Sequence, residues 1–553
     1  MYDKKTLVSF SMEIGLLLDE RRGLAITYPG RLSSSRDHSS TWPNLATPHA
    51  GGLGVLEGDN FLTALDLGQP YVAVSLLHQN GYLRQDINQK GEQVDLDDYF
   101  DPSSLMERKK ERVTVNIDDT DREVFCYQYT PRGADSPTLL YVTTDGVDTH
   151  LYRGDKILKS IVLGIGGVRL LKKLGYDLDN LYFKINESNA GLALVELLRM
   201  FETEKRVKEH SSFITHTALP HGHDVYDFEY LKRRLEDDVV SEILSSVDFG
   251  KFVREGGLDL SQMTASLSEK VFAVSKAHRE IAQKIFPDRP VEYLTNGVHW
   301  SHISERKQKV FDKYLGPWRT KPESFREAER IPLEELQAAH ELDKADLIDY
   351  VKMKAGVEFS LDLPICGFAR RQTAYKRSLY LFSDIERLKG IVARYGLQHI
   401  QAGKAHPDDT QAKNEIKEYH RIMQSLSADM RLAFVKNYGL ENHAILLNGV
   451  DFMIYSPVED LEACGTSYMK AMSAGVPVLG TLAGGFPELC VDGVNSFVFR
   501  DQEEFYNKLE LLLSEYEKNR LAEIRRNAVI CGAYASSARM FQEFWSKVLH
   551  NGT

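Results

Sequence analysis

Residues 181–201 read "LYFKINESNAGLALVELLRMF". The first six residues are largely apolar, aromatic or β-branched, a turn follows, and leucines then recur at helical spacing. A strand that passes through a turn into a helix is the repeating unit of parallel sheets. The same order returns in "KVFAVSKAHREIAQKIF", residues 270–286. The stretch therefore predicts an α/β fold built on a parallel sheet.

The same alternation begins again in the second half of the chain, after residue 360. The strand candidates there are "LPICGFAR" (363–370), "LQHIQAGKA" (397–405), "RLAFVKNY" (431–438) and "VPVLGTL" (476–482). Because 553 residues exceed what one core usually serves, we expect two doubly wound, Rossmann-like domains. Ligands bind beyond the carboxyl ends of such strands, so the cleft between the domains is the expected site.

The domain limits are predicted from these patterns. We expect an N-terminal domain over residues 1–296 and a C-terminal domain over residues 297–530. Residues 304–357 are rich in Lys, Glu and Asp and predict a helical connection. Residues 531–553 contain a final helix whose aromatic side chains are expected to pack across the lobes.

Composition and charge argue against several classes of protein. The chain is 42% hydrophobic and 27% charged, which is typical of globular proteins, and its net charge of -12 argues against a general nucleic-acid binder. It has no apolar run near the roughly 20 residues that span a bilayer, so we expect no membrane partner and a cytoplasmic location. The cysteines never occur as CxxC, which argues against a disulfide framework or a zinc site.

A glycine-rich turn lies in "HAGGLGVLEGDN", residues 49–60. Gly51, Gly52 and Gly54 precede a helical pattern, where backbone N–H groups can approach an anion. An ordinary strand-to-helix connection explains the same glycines.

Four basic residues cluster in "GFARRQTAYKRS", residues 367–378. They are Arg370, Arg371, Lys376 and Arg377. A solvated face accounts for such a run, but this one follows a predicted buried strand and would face the cleft. Guanidinium and ammonium groups together suit phosphate.

Three histidines follow a predicted strand in "ITHTALPHGHD", residues 214–224. A metal site at His216, His221 and His223 is one interpretation, but no HExxH spacing accompanies them, so we favour hydrogen bonding to substrate and expect no metal. Asn296 in "TNGVHW" offers a donor and an acceptor to a polar ligand, although an Asn-Gly turn also explains it.

One lysine stands alone in "EACGTSYMKAMSAGVPVLGT", residues 462–481. Gly465 and Thr466 come just before a short helical pattern that contains Lys470, and their amides can bind a phosphate. Burial and the helix N-terminus both favour a free amine, which condenses with aldehydes. A lysine that reaches solvent from a helix start is the alternative to pyridoxal phosphate held as a Schiff base.

Together the motifs resemble the glycogen/α-glucan phosphorylase family, glycosyltransferases of the GT-B fold that contain pyridoxal phosphate. They run in order through about residues 9–490 as "SFSMEIGL", "GGLGVLEGD", "INESNAGLALVELLR", "THTALPHGHD", "TNGVHW", "GFARRQTAYKR", "AGKAHP", "VKNYGL" and "EACGTSYMK". The resemblance implies two Rossmann-like domains that face a central cleft, with glucan bound by the first and the cofactor by the second.

The resemblance also implies roles for single residues. Lys470 carries the pyridoxal phosphate. The other implied cofactor-binding residues are Arg370, Lys376, Gly465 and Thr466 around the phosphate, and Tyr438 and Glu13 near the ring. The implied catalytic residues are Arg371, Lys376 and His216. The implied substrate-binding residues are Gly51, Gly52, Leu53, Gly54, His216, Asn296, Arg371, Glu462, Cys464 and Gly465.

The family reaction uses inorganic phosphate to remove the terminal glucose of an α-1,4-glucan such as glycogen or maltodextrin. It gives α-glucose 1-phosphate with retained configuration, and the cofactor's 5′-phosphate exchanges a proton with inorganic phosphate. Family members are commonly dimers, so the resemblance allows a homodimer.

Several positions depart from the family pattern. Residues 26–48 resemble an insertion, and the run "SHIS" after "TNGVHW" lacks the usual Arg/Trp pattern. Cys464, Asn189 and Gly439 stand where serine, histidine and arginine are frequent. These departures bear on glucan length and acceptor preference. The chain is much shorter than the regulated animal enzymes, so we expect no counterpart of their nucleotide and phosphorylation control.

Two alternatives stay open. A nucleotide-sugar glycosyltransferase of the same fold is favoured by "SAGVPVLGTLAGGFPEL", although that branch has a glutamate near the position of Lys470. The other alternative is a non-catalytic glucan-binding protein, in which we would expect the anion-binding residues to be replaced. The lysine and the intact basic cluster favour phosphorolysis.

Overall fold

The computed structural model describes residues 5–19, 24–26, 44–131, 136–146, 149–219, 222–246 and 249–549. Residues 27–43 of the predicted insertion, and His221, lie outside these ranges. None of the described helices is both long enough and apolar enough to cross a membrane.

The strands begin and end close to where the apolar runs do. They are β1 Thr6–Ser11, β2 Leu17–Asp19, β3 Leu24–Ile26, β4 Asn44–Ala46, β5 Tyr71–Leu76, β6 Arg84–Ile87, β7 Gln93–Leu96, β8 Glu107–Arg108, β9 Val113–Ile117, β10 Thr120–Tyr129, β11 Thr138–Thr144, β12 Leu181–Asn186, β13 Ser211–Ile214, β14 Val225–Asp227, β15 Val253–Arg254, β16 Gly257–Asp259, β17 Lys270–Ala273, β18 Val291–Tyr293, β19 Ile365–Ala369, β20 Gln398–Ala402, β21 Arg431–Val435, β22 Phe452–Tyr455, β23 Val478–Gly480 and β24 Phe497–Val498.

The helices alternate with these strands. They are α1 Gly52–Leu67, α2 Lys156–Ser160, α3 Gly167–Lys173, α4 Leu192–Phe201, α5 Glu204–Glu209, α6 Phe228–Arg234, α7 Asp237–Ser245, α8 Leu260–Ser266, α9 Lys276–Ile285, α10 Glu305–Tyr314, α11 Leu333–Ala355, α12 Ile385–Tyr395, α13 Thr410–Ser425, α14 His443–Gly449, α15 Ser467–Ser473, α16 Gln502–Glu517, α17 Leu521–Val529, α18 Gly532–Ala535 and α19 Ser537–Leu549.

The first large sheet has the strand order β18-β17-β13-β12-β1-β5-β11-β10-β8, with β9 beside β10. From β18 to β11 the pairs are parallel, and β10 runs antiparallel to β11. Strand order reverses between β1 and β12, where Ser9 lies opposite Lys184. A ligand is therefore expected beyond the ends of these two strands.

The second large sheet has the order β21-β20-β19-β22-β23-β24 and is parallel throughout. This is the order of a dinucleotide-binding Rossmann sheet, and it reverses between β19 and β22. All five residues of β19 and all six of β12 are buried, since helices cover both faces of each sheet. The prediction of an α/β, GT-B fold with two Rossmann-like domains facing a central cleft is confirmed.

The end of the chain returns to the first sheet. In α19, the Phe541 ring lies 6.2 Å from Tyr71 and the Trp545 ring lies 5.9 Å from Tyr182. The same apolar cluster contains Phe61 of α1 and Phe272 of β17. The domain limits at residues 296 and 530 stay predictions.

Candidate active site

A cavity of about 490 Å³ lies between the two lobes, beyond the carboxyl ends of the strands. Glu13 follows β1, Glu187 follows β12, and Arg370 and Arg371 follow β19, and all four line this cavity. These strands flank the points where strand order reverses in each sheet, so the topology itself brings their ends together.

The cavity collects nearly all of the residues that the sequence singles out. Those that line it are Glu13, Gly51, Gly52, Leu53, His216, Asn296, Arg370, Arg371, Lys376, Tyr438, Glu462, Cys464, Gly465, Thr466 and Lys470. Gly54 is not among the lining residues, because it packs behind Glu13, where an added Cβ would lie 2.8 Å from Oε2. The individual roles stay predictions.

Glu462 bridges two cations of the basic run. Its Oε2 accepts hydrogen bonds from Arg370 Nη2 at 2.9 Å and from Lys376 Nζ at 3.2 Å. Burial alone would raise the pKa of this carboxyl, but Lys376 and Arg370 lower it below its ordinary value. The other end of the Arg370 fork, Nη1, is buried and has no hydrogen-bond partner among the described residues.

The two remaining arginines of the run have different surroundings. Arg371 lines the cavity beside Gly51 and makes no hydrogen bond or ion pair within the described ranges. Arg377 does not line the cavity; its Nε donates to the Ser456 carbonyl at 2.5 Å and its Nη2 to the Pro457 carbonyl at 3.2 Å. Arg371 is therefore available to a ligand, whereas Arg377 binds backbone carbonyl oxygens.

Lys470 lines the cavity from α15 and is only 7% exposed. The other buried lysines each donate to a carboxylate or a carbonyl oxygen; they are Lys159, Lys184, Lys307, Lys344 and Lys376. Within the described part of the chain, the Lys470 amine has no such partner. Burial lowers its pKa from the ordinary value, which shifts the amine toward its uncharged, nucleophilic form.

Gly465 lies in the cavity wall beside Lys470, at a position with no room for a side chain. A Cβ added there would lie 2.7 Å from the Tyr455 ring and 3.1 Å from Arg370 Nη2. Any larger residue would displace the arginine fork or fill the space in front of it. The glycine therefore keeps the Arg370 donors accessible from the cavity.

Comparison with known proteins gives consistent results. The family model for glycosyl transferases group 1 matches residues 364–515. A maltodextrin phosphorylase of Thermococcus litoralis is 30% identical over an alignment that covers 91% of this chain and 69% of that protein. A glycogen phosphorylase of Aquifex aeolicus is 32% identical, over 82% of this chain and 74% of that protein. The chain belongs to the glycogen/maltodextrin phosphorylase family. An uncharacterized protein of Methanocaldococcus jannaschii is 28% identical over 90% of this chain and 96% of its own length.

Membership of the phosphorylase family makes the protein a glycosyltransferase and confirms the resemblance drawn from the motifs. The named relatives are phosphorylases, which disfavours the nucleotide-sugar alternative. No group of three His, Cys, Asp or Glu side chains that could hold a metal lies within the described ranges.

Glu187 is a residue of this phosphorylase-family site that sequence reasoning missed. It has a left-handed φ of 63°, and its Oε1 accepts from His216 N at 2.7 Å and from Thr217 Oγ1 at 2.8 Å. Burial raises its pKa to about 7 and lowers that of His216 to about 3, so His216 is a neutral imidazole in the cavity wall. The sequence did contain a signal for this residue, namely an acidic side chain directly after a strand that is predicted to be buried.

The role of Glu13 in the phosphorylase-family site is also clearer from its contacts. Its Oε2 accepts from Ala50 N at 2.6 Å, and its Oε1 accepts from Tyr152 Oη at 2.6 Å. It thus fixes the glycine turn that begins α1, whose first residues line the cavity. Tyr152 lines the cavity too and was not predicted.

Proposed function

We propose that the protein is an α-1,4-glucan phosphorylase that contains pyridoxal phosphate. It would release the terminal glucose of glycogen or maltodextrin as α-glucose 1-phosphate, with retained configuration. The observation that carries the proposal is the unpartnered, buried amine of Lys470, which lines one cavity with Arg370, Arg371 and Lys376 in a chain of the phosphorylase family.

The residues present fit the cofactor. Lys470 would hold it covalently, and the orphaned Nη1 of Arg370 supplies a donor for its phosphate beside the space that Gly465 leaves open. Lys376 and Thr466 line the same wall, while Tyr438 and Glu13 would face the ring. When bound, the cofactor supplies a 5′-phosphate that donates and accepts the proton of inorganic phosphate.

The basic residues would neutralise two phosphate groups. Arg370, Arg371 and Lys376 carry three positive charges, and Glu462 offsets one of them. The remaining charge lowers the repulsion between two phosphates, which is large in a site shielded from water. Arg371 and Lys376 would bind inorganic phosphate.

Neutral groups would bind the glucosyl unit. The imidazole of His216 stays uncharged because burial lowers its pKa to about 3, and burial raises the pKa of the Cys464 thiol to about 12. Sugar hydroxyls pair well with such neutral donors and acceptors, and Asn296 adds an amide. The glycine turn, with Gly51, Gly52 and Leu53, would contact phosphate and sugar through its backbone.

The test joins cofactor mapping with an activity assay. Borohydride reduction and peptide mapping should find a pyridoxyl-phosphate adduct on Lys470, while the partnered buried lysine Lys344 serves as the internal control without adduct. Maltodextrin and phosphate should then yield glucose 1-phosphate, and Lys470→Ala should yield none. A protein without adduct that transfers glucose from a nucleotide sugar would overturn the proposal. Dimer formation and a cytoplasmic location stay predictions.

A further inference from the structure

Three side chains beside Lys470 form a continuous chain of hydrogen bonds. His443 Nδ1 lies 3.0 Å from the Leu440 carbonyl oxygen, and its Nε2 lies 2.6 Å from His302 Nδ1. His302 Nε2 lies 2.8 Å and 2.9 Å from the two carboxylate oxygens of Asp59. The three residues come from α14, from the turn after residue 299, and from α1, so the chain joins the two lobes.

Lys470 adjoins this chain. Lys470 and His443 both line the large cavity, and Lys470 and His302 both line a second cavity of about 10 Å³. The charge of Lys470 acts electrostatically on Asp59, His302 and His443 alike. Within the part of the chain that the structure describes, Asp59 is the charged group that favours the ammonium form of Lys470.

The hydrogen bonds fix the number of protons in the chain. The Leu440 carbonyl only accepts, so His443 Nδ1 carries a proton, and in a neutral imidazole Nε2 then accepts from His302 Nδ1–H. A third proton must then lie between His302 Nε2 and Asp59, since two bare acceptors would otherwise face each other. Two neutral imidazoles supply only two protons. A chain with a proton in each of its three contacts would therefore hold one extra proton, which would cancel the charge of the Asp59 carboxylate.

Two opposing effects act on this third proton: burial lowers the pKa of His302 to about 4, whereas the contact with Asp59 raises it. Burial alone would raise the pKa of Asp59, but the adjacent His302 lowers it below its ordinary value. The carboxylate also raises the pKa of Lys470, against the lowering by burial, and a proton held between His302 and Asp59 would weaken that effect.

We propose that the Asp59–His302–His443 chain is a positioning device that keeps Lys470 as an uncharged amine. By holding an extra proton between His302 and Asp59, the chain cancels the anion that, among the described residues, would charge Lys470. The amine nitrogen is then free to bond to an aldehyde carbon, with the loss of one water. This inference rests on the proposed cofactor attachment.

The other charged groups around the chain are already paired. From the turn, His299 bonds to Asp66 at 2.9 Å, and from α1, Glu57 pairs with Lys184 at 3.0 Å. On the cavity side Glu462 pairs with Arg370 and Lys376, and His49 Nδ1 contacts the Thr47 carbonyl at 2.8 Å. None of these pairs includes residue 59 or 302.

The test compares charge states by substitution. His302→Gln leaves the Asp59 carboxylate uncancelled, so the pKa of Lys470 should rise. Asp59→Asn keeps the chain neutral and should leave that pKa unchanged. The double substitution Asp59→Asn/His302→Gln should restore the value of the unsubstituted protein. His340→Gln is the matched control, because His340 is equally buried and bonds to Asp451 at 3.0 Å away from the cavity.

The readout is the pKa of Lys470 itself. Competitive acetylation of the full chain, freed of cofactor, followed by mass spectrometry of the Lys470 peptide, gives this pKa without any activity assay. Once the pKa lies above the assay pH, each further unit of rise should lower the rate of pyridoxal phosphate attachment about tenfold, because the amine fraction then falls tenfold.

The outcomes separate the two proposals. An unchanged Lys470 pKa in His302→Gln would overturn the inference, and so would a double variant as strongly shifted as His302→Gln alone, since that indicates a merely structural role. If the shifts occur as expected but the unsubstituted protein never binds pyridoxal phosphate, the cofactor proposal fails while control of the Lys470 charge stands.

Discussion

Arg370 shares its guanidinium between two tasks: Nη2 donates to Glu462 Oε2 at 2.9 Å, while the buried Nη1 has no partner among the described residues. A buried donor without a partner is destabilising by about 1–3 kcal/mol, so an acceptor placed at Nη1 would stabilise this arrangement. The Arg370–Glu462 pair therefore fixes the direction of the fork and leaves one half of it for a ligand.

Arg371 and Arg377 allow a matched comparison within one basic run. Arg371→Met removes a cation with no hydrogen bond or ion pair to the described chain, so it should leave stability nearly unchanged and raise KM for phosphate roughly 10- to 150-fold. Arg377→Met removes two bonds to backbone carbonyls and should lower Tm with little change in KM. Steady-state kinetics and thermal unfolding of both variants check this. Equal KM effects would contradict the assignment of Arg371.

Glu462→Gln should destabilise the protein when no phosphate is present. Arg370 and Lys376 would lose their buried counter-ion, and breaking such a pair is destabilising by about 3–5 kcal/mol. Added phosphate supplies a new counter-ion, so it should raise the Tm of this variant more than that of the unsubstituted protein.

The control for that prediction is Glu488→Gln. Glu488 accepts from the hydroxyls of Thr295 and Tyr534, both at 2.8 Å, and thus from neutral donors at the same lobe boundary. Its substitution should not change the response to phosphate. An identical phosphate response in all three proteins would contradict the counter-ion role of Glu462.

Glu187 predicts a pH dependence of stability with a definite sign. Burial raises its pKa to about 7 from an ordinary value of 4.5, so the folded protein holds this proton more tightly than the unfolded chain. Its stabilising contribution is complete below about pH 4.5 and is lost as the pH rises to about 7. Relative to the unsubstituted protein, Glu187→Gln should therefore gain up to about 1.4 kcal/mol per pH unit in this window.

Urea unfolding of both proteins between pH 5 and pH 8 measures that difference. His216, whose pKa burial lowers to about 3, opposes the effect of Glu187, but it is present in both proteins and cancels in the comparison. A difference that is constant with pH would show that Glu187 does not titrate in this range.

The sequence predicted the features that depend on local pattern. β12 and β19 lie within their predicted runs because both are buried on two faces and so read as continuous apolar segments. Lys470 was predicted as a site residue because a single charged side chain in an apolar helical segment stands out in the sequence. The Asp59–His302 contact was missed because it joins residues 243 positions apart, and no local pattern encodes such a pairing. Gly54 was grouped with its neighbours although the helix turns it away from the cavity.

The hairpin of β6 and β7 provides the last prediction, since it bonds to the second lobe in two ways. Gln93 Nε2 donates to the Ala405 carbonyl at 2.9 Å, and its Oε1 accepts from Ala405 N at 3.0 Å. Nearby, Lys417 pairs with Glu92 at 2.6 Å near the surface. Gln93→Ala should lower stability by about 1–3 kcal/mol because buried polar groups lose their partners.

Lys417→Ala is the matched control across the same boundary. A solvent-exposed ion pair contributes about 0.2–1 kcal/mol and is screened by salt, so its effect should vanish in 1 M NaCl, where the Debye length is about 3 Å. The effect of Gln93→Ala should persist there, and small-angle scattering should show the lobes further apart. If salt removed both effects equally, surface charge and not the buried amide would hold the hairpin to the second lobe.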